Sequence, residues 1–212
     1  MKLPAFDYAC PATLSEAVAL LKSHDGDAKP IAGGQSLMPM LAFRVASPSL
    51  LVDLRKLTEL TGIRIDANGV RLGARVRWRD IADDARLAAA HPLLAAAIAH
   101  VAHYQIRNRG TVGGSIAHAD PAAEMPGIAL TCEAEIAVVG SSGPRVIAAR
   151  DFFLGALSTA LEPDEIVTEI RLPAWPAARR WGFQEFSRRR GDFAMAAAAV
   201  FYDPDGAGRA TN

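Results

Sequence analysis

Two short segments of this chain pair adjacent glycines with a small hydroxyl residue: Ala32-Gly33-Gly34-Gln35-Ser36 and Thr111-Val112-Gly113-Gly114-Ser115. Adjacent glycines admit positive φ and let another molecule approach the main chain without meeting a Cβ. Successive N–H groups in such a turn converge on an anion, most often a phosphate. Each pair ends a stretch that reads as a strand, so each is expected to be a turn. Two such turns far apart in sequence suggest two jaws on one diphosphate ligand. Neither precedes Gly-Lys-Ser/Thr and neither has the G-x-G-x-x-G spacing, which excludes a P-loop and a Rossmann turn. Taken singly, each also reads as a tight turn between strands.

The surroundings of the second segment raise its interest. From Tyr104 to Glu124 the chain concentrates Arg107, Arg109, His118, Asp120, Glu124 and three glycines between two apolar helical stretches. A purely structural connection rarely gathers that much polar variety. Other chemistries find no support. The five histidines show no HxxxH or HExxH spacing, so no metal site is expected. Cys10 and Cys132 form no CxxC pair and cannot hold an iron–sulfur cluster, which needs about four ligands. No Ser/His/Asp order is persuasive, and no catalytic residue is assigned. His118 sits beside the second glycine segment, with a hydrogen bond that holds the loop as its structural role.

The elements that must position these segments read as mixed α and β. Thr13 or Ser15 caps a helix through Leu21, and Lys29 to Ala32 is a strand feeding the first glycine segment. Leu37 to Leu41 is helical with Pro39 in its first turn, and Leu50 to Leu54 is a buried strand. Ile63–Ile65 and Val70–Leu72 flank Asn68-Gly69, a hairpin signal. A helix is expected from about Arg79 to Arg86 and a second from His91-Pro92 to about His103. Further strands fall at Glu135–Val139 and Glu165–Leu172. Pro173 to Ala178 reads as a linker, followed by two strands near Trp181–Phe186 and Ala196–Tyr202.

Half of the 212 residues are hydrophobic, and 23 basic side chains balance 23 acidic ones. That length buries a real core, and zero net charge argues against nucleic acid or an anionic membrane as the main partner. No apolar run approaches the ~20 residues of a membrane span, and the N-terminus lacks a signal-peptide pattern. A cytoplasmic location is expected.

The stretches AGGQSLMP, IRNRGTVGGSIAHADPAAEMP, FFLGALSTALEPDEIVTEIRLP and FQEFSRRRGDFA, in this order from Ala32 to Ala194, resemble the FAD-binding medium subunits of molybdenum hydroxylases. That group includes the medium subunits of carbon monoxide dehydrogenase and nicotine dehydrogenase, and the flavin domain of xanthine dehydrogenase. The resemblance implies an α+β, vanillyl-alcohol-oxidase/PCMH-type flavin fold of two α/β subdomains, residues 1–55 and 56–175. Residues 176–212 would open a C-terminal domain that is incomplete here. The main chain of Ala32, Gly33, Gly34, Gln35 and Ser36 would bind the FAD diphosphate with Leu37 close by. Thr111, Val112, Gly113, Gly114 and Ser115 would close on it from the opposite side.

By the same resemblance Glu124 matches an acid contacting the cofactor near the adenosine ribose, while the helix dipole alone also favours an acid there. Leu161 matches an apolar residue with a backbone contact to the flavin. Phe193 matches an aromatic near the isoalloxazine, with a core role as its alternative, and Tyr104 and Ile106 would border the ring. Many relatives carry a lysine at or beside Glu185; here that charge is missing, and either Arg188, Arg189 or Arg190 substitutes for it or the flavin's electronics differ. A large molybdopterin-binding subunit and a small subunit with two [2Fe–2S] clusters are the implied partners, in a dimer of heterotrimers. Electrons would pass from those clusters through FAD to a terminal acceptor. The competing readings are a truncated non-catalytic partner-binding form and a self-sufficient flavin oxidoreductase.

Overall fold

The computed structural model describes residues 2–206 and 208–211. Its N-terminal part is a three-stranded parallel sheet of β1 (Asp7–Ala9), β2 (Ala28–Ile31) and β3 (Leu50–Asp53), in the order β1-β3-β2. Helix α1 (Leu14–Ser23) joins the first two strands, and α2 (Leu37–Ala42) follows the second. Thr13, not Ser15, caps α1. Its hydroxyl accepts from Glu16 N–H at 3.2 Å, while the Glu16 carboxylate accepts from Thr13 N–H at 3.3 Å. The apolar face of α1, Ala17, Val18 and Leu21, is buried on Leu50, Val52, Leu54 and Leu57. Pro39 sits in the first turn of α2, where a missing N–H costs nothing.

The central part is an antiparallel sheet built from β4 (Ile63–Asp66), β5 (Gly69–Gly73), β6 (Glu135–Gly140), β7 (Gly143–Ala148) and β10 (Ile166–Pro173), in the order β4-β5-β10-β6-β7. Asn68 and Gly69 make the expected hairpin turn, with Asn68 N–H on Asp66 Oδ1 at 2.7 Å and Gly69 at φ +126°. Between β5 and β6 the chain makes six helices: α3 (Trp78–Asp83), α4 (Ala85–Ala90), α5 (Pro92–Ile98), α6 (Tyr104–Arg107), α7 (Val112–His118) and α8 (Glu124–Thr131). Leu93, Leu94, Ile98, Val112, Ile116, Met125 and Ile128 share one core with Val70, Leu72, Ile136, Val138 and Ile170 of the sheet. Helix α9 (Ala149–Phe152) and a small hairpin of β8 (Phe153–Gly155) and β9 (Ser158–Thr159) precede β10.

Two expected helices come out differently. The one reading from Arg79 to Arg86 breaks at Asp84, which is extended (φ −89°, ψ 95°) and whose carboxylate accepts from Arg86 N–H at 3.0 Å, starting α4 afresh. The one reading from His91 to His103 stops at Ile98. Ala102 takes φ +42°, and the Arg107 guanidinium donates to the carbonyls of Val101 and Ala102 at 3.1 Å each. A side chain six residues downstream thus satisfies carbonyls that further helix would have used.

The last strands, β11 (Arg180–Phe186), β12 (Ala196–Pro204) and β13 (Ala210–Thr211), form a separate antiparallel sheet. Its inner face, including Phe183, Ala199 and Phe201, packs on the central core. Its outer face leaves Phe186, Val200 and Tyr202 exposed. The linker expected at Pro173 to Ala178 is anchored: the Trp175 ring lies 4.5 Å from His91 and 5.5 Å from Phe201. Arg179 lies 4.2 Å over Phe201 and pairs with Asp203 at 2.7 Å. Among the described residues no helix is long and apolar enough to cross a membrane.

Candidate functional site

The first glycine segment lies where it is expected, between β2 and α2. Gly34 takes φ +69°, and the Gln35 amide braces the loop by donating to Gly33 O at 2.8 Å. Among the described residues none accepts from the main-chain N–H of Gly33, Gly34, Gln35 or Ser36, and the Ser36 hydroxyl caps nothing. Main-chain donors seldom go unpaired when half-buried, as Gly33, Gly34 and Gln35 are; with the exposed Ser36 they form a cradle suited to an anion. The side of Gly33 is different. A Cβ there would strike the carbonyl oxygen of Arg109 and come within 2.9 Å of Gly110 Cα. Gly33 is therefore needed for the loop to lie flat on the chain that leads into the second glycine segment.

That second segment is not a turn and does not end a strand. Thr111 is the N-cap of α7, and Val112, Gly113, Gly114 and Ser115 are helical. Four of its five N–H groups are already used: Val112 donates to Val76 O and Gly113 to Ala74 O, both at 2.9 Å, Gly114 to Thr111 Oγ1 at 3.2 Å, and Ser115 to Thr111 O at 3.1 Å. Gly113 is buried, and a Cβ on it would meet Ala74 Cβ at 2.5 Å. Gly114 is exposed, and its added Cβ would meet only Thr111 Oγ1. The first segment is thus a loop of free amides, and the second a helix start that presents the bare surface of Gly114. The misreading has a physical cause. Gly-Gly is a poor helix former, but the capping hydroxyl of Thr111 and two bonds into the Ala74–Val76 turn after β5 hold it helical.

The other expected residues surround these two segments to different degrees. Leu37 opens α2 directly after the cradle. Tyr104 and Ile106 lie on α6, with Tyr104 62% exposed. Phe193 belongs to the loop between β11 and β12, which is tied to the turn before α6: a Cβ on Gly191 would fall 2.6 Å from Ala102 O. Phe193 is 69% exposed, so its alternative role as a core aromatic is excluded. Leu161 follows the β8–β9 hairpin, which is attached to the end of α7 by Leu157 N–H on Ala119 O at 2.9 Å. Both of these residues hold left-handed backbone, at φ +56° and +50°.

Glu124 is the first residue of α8 and lines a cavity of about 440 Å³ between α8 and the β11–β12 ladder. Burial pushes its carboxyl up to about 7; its own main-chain amide lowers it, and the charges of Glu185 and Asp120 raise it. Glu185, from β11, lines the same cavity with a buried side chain. Its burial is the site feature that the sequence reading missed. The signal was the alternation Phe183-x-Glu185, which puts this acid on the inward face. His118, expected to hold its loop, makes no hydrogen bond through its ring among the described residues. No group of three or more metal-ligating side chains occurs among them, and both cysteines are free.

Known proteins share this architecture. The profile of a family described as the FAD binding domain in molybdopterin dehydrogenase matches residues 4–175. The nicotine 6-hydroxylase medium subunit of Paenarthrobacter nicotinovorans is 45% identical over 200 residues, covering 94% of this chain and 70% of the relative. The carbon monoxide dehydrogenase medium chain of Hydrogenophaga pseudoflava is 41% identical over 197 residues, 93% of this chain and 69% of the relative. A solved structure of carbon monoxide dehydrogenase from that organism, in a form lacking the Mo-pyranopterin moiety of the molybdenum cofactor, superposes with a TM-score of 0.94 at 41% identity, over 97% of this chain and 72% of the other. With its mixed α/β architecture, the chain belongs to the family of FAD-binding domains of molybdopterin dehydrogenases.

Proposed function

We propose that this chain is the flavoprotein component of a molybdenum hydroxylase, an oxidoreductase subunit that holds FAD and relays electrons. The observation that carries the reading is the row of four unpaired main-chain N–H groups at Gly33 to Ser36, which fits a diphosphate. Bound FAD supplies the electron chemistry, accepting electrons from [2Fe–2S] clusters on a partner subunit and passing them to a terminal acceptor. The residues of this chain bind and orient it. Ala32 to Ser36 grip the diphosphate through the main chain, and Leu37 covers it. Thr111 to Ser115 give close approach along α7, chiefly at Gly114. Glu124, Leu161 and Phe193 contact the two ends of the dinucleotide. No residue of this chain is assigned to substrate chemistry, which belongs to a large molybdopterin-binding partner.

The finer organisation belongs to the same proposal. Residues 1–55 and 56–175 are the two subdomains of a vanillyl-alcohol-oxidase/PCMH-type flavin fold, and residues 176–212 open a third domain. The parallel sheet, the antiparallel sheet and the last ladder support that division. The assembly is a cytoplasmic dimer of heterotrimers with large and small subunits. Medium subunits or chains of nicotine 6-hydroxylase and carbon monoxide dehydrogenase, aligned over more than nine-tenths of this chain, support the partnership.

The experiment is purification of the chain alone and with candidate partner subunits, followed by counting flavin, iron and molybdenum. The expected outcome is a yellow protein whose FAD is released on denaturation, with iron and molybdenum present only in the complex. Colourless protein in both preparations overturns the functional reading and leaves the fold untouched.

A further inference from the structure

The cavity between α8 and the β11–β12 ladder contains a group that the diphosphate cradle does not explain. Glu185 points inward from β11 with a side chain 1% exposed. Its Oε1 lies 3.8 Å from His100 Nδ1, outside hydrogen-bond range, and its Oε2 is buried with no partner. Buried carboxylate oxygens are rarely left without a donor, because the desolvation cost is then unopposed. Glu124 stands on the same cavity, and Asp120 adds further negative charge at Glu124. The remaining lining is mostly small or apolar, including Pro121, Ile128, Phe183, Met195 and Ala197, so nothing there offers an anion a charged donor.

We propose that Glu185 is a ligand-binding residue: its free oxygen accepts from an N–H or O–H group on a ligand portion without negative charge. Identifying the ligand with a flavin dinucleotide rests on the function proposed above; the demand for an uncharged or cationic donor does not. The two ends of the site then select opposite chemistry. Main-chain amides at Gly33 to Ser36 take the diphosphate, and the acidic cavity takes a donor-bearing end of the same ligand, flavin or adenosine.

The test titrates flavin-stripped full chain with FAD, riboflavin and ADP by fluorescence or calorimetry, and with n-butylammonium by thermal shift. Wild type is compared with Glu185→Gln and Glu185→Leu. Loss of a hydrogen bond to a charged group predicts FAD binding weaker by about tenfold or more in Glu185→Leu, and by less in Glu185→Gln, which keeps an acceptor. Neither variant is expected to melt far below wild type, since each removes a buried carboxyl oxygen that has no hydrogen-bond partner. A loss shared with riboflavin alone places the flavin end at Glu185; one shared with ADP alone places the adenosine there; both support the inference. If wild type binds no FAD, the functional reading fails. Stabilisation by n-butylammonium that Glu185→Leu abolishes then still supports the inference. The inference is overturned if folded Glu185→Leu and Glu185→Gln respond to all four ligands as wild type does.

Discussion

Gly33 and Gly114 carry the same side chain and face opposite surroundings. A methyl group on Gly33 runs into the main chain at Arg109–Gly110, which cannot rotate away, whereas one on Gly114 meets only the Thr111 hydroxyl. Gly33→Ala is expected to lower stability by about 2–4 kcal/mol in urea melts, so flavin lost from that variant says nothing about the ligand. Gly114→Ala exchanges part of a cap bond for better helix propensity and stays within about 1 kcal/mol of wild type. Its FAD affinity falls all the same if the cofactor approaches α7 there. Glu124 gives a second prediction. Its folded-state carboxyl stays protonated to about 7 against an ordinary 4.5, so the native state binds the extra proton and stability is lost as pH rises through that window. Glu124→Gln is expected to remove the loss and to be more stable at pH 8 by about 2 kcal/mol, allowing for partial solvent access. At this scale the sequence exposed the cradle residues, whose glycines declare themselves. It concealed Glu185: the alternation with Phe183 puts the acid on the inward face, but the depth of its burial depends on a sheet packing across from α8.

Elements were legible where one local signal dominated. Thr13 and Glu16 spell a capping box, and Asn68-Gly69 spells a hairpin; both elements stand as expected. Helix α7 was not legible, since it is held by bonds from Val112 and Gly113 to Val76 and Ala74, some forty residues earlier in the chain. The early end of α5 has the same origin in the reach of Arg107. The start of α5 makes a prediction of its own. His91 Nδ1 accepts from Leu94 N–H at 3.3 Å, its Nε2 is buried without a partner, and its ring packs on Trp175. Burial pushes the imidazole down to about 4, with the nearby Arg179 charge acting in the same direction and a backbone hydrogen bond opposing it. The unfolded chain takes up the proton near 6.5, so stability is lost as pH falls from there toward 4, by on the order of 3 kcal/mol. His91→Asn keeps a capping acceptor and loses that acid slope, at a cost of about 1–2 kcal/mol in ring packing. Chemical denaturation between pH 4 and 7 measures both effects.

For the whole molecule the two buried groups oppose each other. From pH 4.5 to 6.5 ionisation of Glu124 destabilises the fold while deprotonation of His91 stabilises it. These two groups together predict a flat stability profile in that interval. Glu124→Gln alone should rise with pH across it, and His91→Asn alone should fall; a double variant should be flat again, since the sites lie on different elements and add. The exposed face of the last sheet, with Phe186, Val200 and Tyr202, belongs to this scale too. Such a face favours association, and a sedimentation coefficient that rises with protein concentration is expected for the chain alone.

The cradle at Gly33 to Ser36 has one more consequence, for genetics. Its donors are main-chain amides, which carry no proton to lose near neutral pH and no side chain to delete. Alanine scanning at Ser36 therefore passes over the grip on the diphosphate, and variation there can drift while the grip persists. Selection acts on it through the glycines that let the loop lie against Arg109 and turn at Gly34, and through the Gln35 amide that braces it.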